Sequence, residues 1–174
     1  MIDKNFDTLH KTLKINSIHF VFGFLFVMLA SCSKSKIERN PYLGEVRFSY
    51  TINIDLPAYN ALKYPQNTIY IPNIGIKGVF VTNQGNNRFV AWEAACPNRN
   101  PLQCERLKCA SKSGNDFIAC ETDTKSYIFV VCPCDKTVYN LVNGSIIKTN
   151  NSKQQYPLLN YNISIAGNTL IVSN

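Results

Sequence analysis

The sequence predicts an all-β fold, a small antiparallel sandwich or barrel of short strands. Three observations carry this. Val46, Phe48, Tyr50, Ile52 and Ile54 alternate with polar neighbours over Glu45–Ile54, the period of a strand with one buried and one wet face. Short β-branched and aromatic runs then recur, separated by turn residues. No stretch after residue 66 holds a helical period of useful length.

After the opening strand, Leu56–Tyr64 has room for a short helical turn before Pro65. Strands are predicted over Thr68–Ile71, Gly78–Val81, Arg88–Trp92, Phe117–Ala119, Tyr127–Val131 and Ser145–Lys148. Asn73-Ile74-Gly75, Gln84-Gly85-Asn86 and Asn143-Gly144 mark turns between them. Tyr161, Ile163 and Ile165 lead through Ala166-Gly167-Asn168 into Leu170 and Val172, a closing hairpin. Trp92 and Tyr127 fall on strand positions and read as core aromatics.

The first thirty-two residues read as an export segment. Lys4, Lys11 and Lys14 precede an apolar run from Phe20 to Ala30, and its eleven residues are too few to span a bilayer. Leu29-Ala30-Ser31-Cys32 resembles a bacterial lipobox, whose cysteine is lipidated and becomes the new N-terminus. Acyl chains contribute about 0.8 kcal/mol per buried CH₂, so several of them on Cys32 would anchor the protein to a membrane without crossing it. Residues 33–41 are then a polar tether, and residues 42–174 form one domain. The expected location is the bacterial cell envelope, at the outer membrane or its periplasmic face.

The 142 residues after Cys32 carry fifteen basic and nine acidic side chains, net +6. The basic residues are scattered, which speaks against nucleic-acid binding. They suit a solvated surface, with Lys34 and Lys36 beside anionic lipid. The 21 asparagines indicate a loop-rich surface and not a functional tract. Both histidines, His10 and His19, precede the expected cleavage site. Imidazole-assisted nucleophilic catalysis is thereby excluded from the mature chain, and no nucleophile elbow, phosphate loop or dinucleotide fingerprint is present. The expectation is a protein that is not an enzyme.

Six cysteines follow Cys32: Cys96, Cys104, Cys109, Cys120, Cys132 and Cys134. In an exported domain an even number reads as disulfides, and sequence alone leaves fifteen pairings open. Cys109 and Cys120 flank the turn-like Ser111–Asn115 and fit opposite sides of a hairpin.

Cys96-Pro97-Asn98 and Cys132-Pro133-Cys134-Asp135 resemble the two metal-binding loops of Rieske iron–sulfur proteins, which read Cys-x-His and Cys-x-x-His. The order of features from Gly78 onward, about 95 residues, is similar too, particularly to Rieske-like lipoproteins of Bacteroidetes. The resemblance implies a Rieske-like β domain in which Cys96 and Cys132 match the thiolate ligands. Asn98 and Asp135 stand where the histidines belong. Cys134 matches a cysteine that braces the cluster through a disulfide, and Cys104 is its nearest candidate partner. Without iron, the resemblance implies Cys96–Cys132 and Cys104–Cys134 bridges.

The expected function is an envelope lipoprotein with a degenerate Rieske-like domain, a disulfide-stapled structural or interaction module holding no cofactor. Its partners would be the membrane, through the lipid, and an envelope protein. The alternative is an electron-transfer protein holding an atypical [2Fe–2S] cluster, or zinc, through Cys96, Cys132, Cys104, Cys134 and Asp135.

Overall fold

The computed structural model describes residues 40–120, 125–153 and 155–174, and residues 40–174 form one compact unit. Cys32, the apolar run before it and most of the tether lie outside the described residues. No helix among the described residues is long and apolar enough to cross a membrane.

Eleven strands are described: β1 (Ser49–Asn53), β2 (Thr68–Ile71), β3 (Val79–Gly85), β4 (Arg88–Glu93), β5 (Lys108–Ser113), β6 (Asp116–Ala119), β7 (Phe129–Val131), β8 (Val138–Asn140), β9 (Ile146–Lys148), β10 (Asn160–Ala166) and β11 (Thr169–Ser173). They form a six-stranded sheet in the order β1-β11-β10-β4-β3-β2 and a five-stranded sheet in the order β6-β5-β7-β8-β9. Every recorded pairing is antiparallel. The all-β class therefore holds. A 3₁₀ helix over Pro57–Lys63 occupies the predicted helical turn, with proline in its first turn where no N–H is required.

Strands β3 and β4 are covered on both faces. Phe80 and Trp92 sit opposite each other in register and enter a core with Val130, Tyr139, Leu141 and the sulfurs of Cys96, Cys104 and Cys132. Val79, Val81 and Ala91 point the other way, into a second core with Ile52, Leu62, Ile69, Tyr161 and Leu170. Burial on both faces explains why Val79–Val81 and Phe89–Trp92 are apolar without alternation. Trp92 anchors the first core by donating from Nε1 to the Leu141 carbonyl at 2.7 Å. Its ring lies against Gly144, where φ is +73° and an added Cβ would meet Cη2 at 2.5 Å, so only glycine fits the turn.

The opening strand is shorter than its alternation predicts. β11 supplies partners for Ser49–Asn53; before them, Asn174 bonds Phe48 O through its N–H and Val46 O through its side-chain amide. Val46 is 37% exposed, whereas Phe48 still packs edge-on against the Tyr161 ring of the second core.

Glu93 ends β4 inside the protein, with no exposed surface. Its Oε1 accepts from the N–H groups of Lys77 (2.8 Å) and Ala95 (2.8 Å). Oε2 accepts from Ile76 N–H (2.7 Å) and Tyr161 O–H (2.7 Å). Four donors replace water around one carboxylate, which is what a buried acid requires. The carboxylate thus ties the Ile76–Lys77 turn, β10 and the lead into Cys96 to one point. Replacing Glu93 with Gln points an amide N–H₂ at donors, and bonds to a charged acceptor contribute about 1.5–3 kcal/mol each. Urea titration of Glu93→Gln should show a loss of about 3 kcal/mol; a loss under about 0.5 kcal/mol would contradict this role.

Candidate functional site

Two loops meet at one end of the first core. The first runs from Cys96 between β4 and β5. The second, Cys132–Thr137, is a tight turn between β7 and β8. It is closed by bonds from Cys132 N–H to Thr137 O (2.9 Å) and from Lys136 N–H to Cys132 O (3.0 Å). Backbone bonds position the first loop: Ala94 N–H donates to Gly78 O (2.9 Å), and Leu107 N–H to Ala94 O (2.7 Å). The loop therefore leaves the large sheet at Ala94 and returns beside it at Leu107.

Disulfides join Cys96 to Cys132 and Cys104 to Cys134, with Cα atoms 5.6 and 6.1 Å apart. The two bridges touch. Cys104 Sγ lies 3.5 Å from Cys96 Sγ and 3.8 Å from Cys132 Sγ. Cys96, Cys104 and Cys132 are buried, whereas Cys134 is exposed. The Glu105 carbonyl oxygen is 3.7 Å from Cys96 Sγ. A third disulfide, Cys109–Cys120, stands apart on the β5–β6 hairpin (Cα atoms 5.4 Å apart), beside a bond from Cys120 N–H to Cys109 O (3.0 Å).

Asn98 and Asp135 are bonded into the scaffold. Asn98 is 7% exposed; its Nδ2 donates to the Tyr139 hydroxyl at 2.8 Å, and its Oδ1 accepts from Tyr156 N–H at 2.7 Å. Asp135 Oδ1 accepts from Thr137 N–H at 3.0 Å, an Asx-type turn. Its Oδ2 pairs with Arg99 Nε at 3.2 Å, across the two loops. Asp135 is thus a turn residue ahead of Lys136, whose φ is +61°. With both positions engaged, and with an amide oxygen a weak donor to iron, the two loops do not fit a Rieske cluster in its usual Cys₂His₂ form.

Sequence reasoning missed several residues that hold this site. Glu93 fixes Ala95, and its signal was a lone acid inside the apolar Phe89–Ala95. Tyr139 and Tyr156 hold Asn98 from 41 and 58 residues away, and no local pattern marks either. A pocket of about 440 Å³ at the loop tips is polar, lined by Tyr42, Asn98, Arg99, Asp135 and Lys153 among others.

No protein-family model matches the chain, and no curated protein matches it significantly. Among solved structures, a chain of the complex of reduced oxygenase and oxidized ferredoxin in carbazole 1,9a-dioxygenase aligns with a TM-score of 0.38 and 13% identity. The alignment covers 75% of this chain and 94% of that one. A likeness of that degree assigns neither family nor role.

Burial pushes the Tyr139 hydroxyl well above its ordinary pKa, Asp135's charge adds to the shift, and the Asn98 donor opposes it. Tyr161 is raised in the same way by burial and by Glu93. In the unfolded chain both phenols ionise near pH 10, while in the folded protein they keep their protons. Above about pH 10 the unfolded state therefore binds fewer protons, and stability falls as pH rises, by up to about 2.7 kcal/mol per pH unit for the two together. Urea titrations at about pH 8 and pH 11 should show this loss. Tyr139→Phe should remove about half of it, and should cost about 1 kcal/mol at neutral pH because Asn98 loses an acceptor.

Proposed function

We propose that this chain is an envelope lipoprotein whose single domain is a degenerate Rieske-like module, held by disulfides and serving a structural or interaction role. One observation carries the reading. The two loops that resemble cluster-binding loops are joined to each other by two disulfides, while the residues at the histidine positions are bonded into the scaffold. Such a domain is stiff where a Rieske protein would carry its metal. Closing loops of 36 and 30 residues restricts the unfolded chain by about 3–4 kcal/mol each in the loop-entropy account.

The interaction role draws support from the segment between Cys96 and Cys104. Both its ends are pinned, and Leu102 near its tip is 94% exposed, so an apolar side chain is presented on a loop already ordered. A partner would meet it at small entropic cost. The electron-transfer alternative has less support, because the four cysteines it would use are joined in disulfides and Asp135 is paired with Arg99. No catalytic role is proposed. Membrane attachment rests on Leu29-Ala30-Ser31-Cys32 alone.

Two experiments test this reading. Replacing both Cys104 and Cys134 with Ser should leave the fold intact and lower its stability by about 3 kcal/mol in urea titration; an unchanged midpoint would remove the stapling role. Cys32→Ser should release the protein into the soluble envelope fraction or leave it uncleaved. A variant that stays membrane-bound with the parent's processed mass would contradict the lipid anchor.

A further inference from the structure

The sulfur cluster has a geometry that two independent staples do not need. Cys104 Sγ is nearly equidistant from Cys96 Sγ (3.5 Å) and Cys132 Sγ (3.8 Å), so it sits broadside to their bond. A thiolate poised for disulfide exchange would instead lie in line with that bond, far closer to one sulfur than to the other. The edges of the triangle point to a different chemistry. Zinc–thiolate bonds of about 2.3 Å in a tetrahedron place ligand sulfurs about 3.8 Å apart. The two non-bonded edges already match that spacing, and the three sulfurs lie within 4.8 Å of one another in the buried core. Cys134, bonded to Cys104, supplies a fourth sulfur from the exposed side.

We propose that, once both disulfides are reduced, Cys96, Cys104, Cys132 and Cys134 form a four-thiolate site for one zinc ion. The oxidised and reduced proteins are then stapled by different chemistry at the same point. Two dithiol reductants each open one bridge and become disulfides themselves, delivering four electrons and four protons to four thiols. Zinc binding then expels four protons and leaves a site of charge −2. Arg99, Arg106 and Lys136 lie on the same two loops, Arg99 paired with Asp135 and Arg106 over the Tyr70 ring. Exposure of Cys134 gives the reductant and the ion their entry. Reduction frees the Cys96 and Cys132 sulfurs to move apart to the tetrahedral edge, within loops whose Cα atoms stand 5.6 Å apart. The compact triangle suits one ion, because a two-iron cluster divides its four ligands between two metals. Asn98 and Asp135 take no part, being bonded elsewhere.

The inference rests on the stapled reading only for its oxidised state. It is tested with the purified full chain, treated with a phosphine reductant or left untreated, then given zinc chloride, desalted and assayed for metal. The expected result is about one zinc per reduced chain and none per untreated chain. Cobalt in place of zinc should give thiolate-to-cobalt absorption bands in the reduced parent, a readout that needs no mutant to fold. Cys134→Ser should weaken zinc binding by more than about 100-fold, while Cys109→Ser combined with Cys120→Ser should leave it unchanged. A reduced parent that takes up no zinc, or uptake indifferent to Cys134→Ser, overturns the site and leaves the stapled reading standing. Zinc bound without reduction overturns the redox gating, and with it the stapling of the native protein.

Discussion

Four cysteine sulfurs packed against one another at the base of two loops are the constraint on which this domain depends. The loops begin at residues 96 and 132, in the connections that follow β4 of the large sheet and β7 of the small one. Bridging them locks the connection between the sheets, and the sulfurs of Cys96, Cys104 and Cys132 then serve as core atoms beside Leu107, Tyr139 and Leu141. Sulfur is well suited to this double use, since a disulfide is both a covalent restraint and a compact apolar filler. A single small domain with two modest cores gains much from such restraint.

The polar groups around the knot fix the loops in place. Glu93 replaces the water it lost with four protein donors, one of them on Ala95 just before Cys96. Asn98 uses one amide to hold Tyr139 and the Tyr156 backbone together. Asp135 closes its own turn and reaches Arg99 across the loops. These side chains act as hydrogen-bonded joints. At positions 98 and 135 each side-chain oxygen already has a partner in the scaffold: Asn98 Oδ1 the Tyr156 N–H, Asp135 Oδ1 the Thr137 N–H and Asp135 Oδ2 the Arg99 guanidinium.

Legibility in the sequence followed the range of the interaction involved. Alternation carries the last hairpin, where Ile165 pairs with Leu170 across a two-residue turn, whereas β2 at Thr68–Ile71 shows as a short β-branched run. Alternation overextends β1, because it reports a face able to pack and not whether a neighbouring strand is there. β5 went unread as a strand because Lys-Cys-Ala-Ser-Lys-Ser has no β-branched or aromatic residue. That strand is held by ladders to β6 and β7 and by the Cys109–Cys120 bridge. β8 has only Val138–Asn140, too short for any period to show. In the site, the Cys-Pro loops stood out locally, and family resemblance suggested their partners. The contact of Cys104 with both Cys96 and Cys132 did not stand out, because it depends on three segments meeting.

The covalent knot between the two Cys-Pro loops is tested most directly by disulfide mapping. Native protein is alkylated before proteolysis, and the peptides are weighed with and without reduction. Three linked pairs are expected, Cys96 with Cys132, Cys104 with Cys134 and Cys109 with Cys120, with no alkylated cysteine among the six. Free, alkylated Cys96, Cys104, Cys132 and Cys134 in the untreated protein would contradict it.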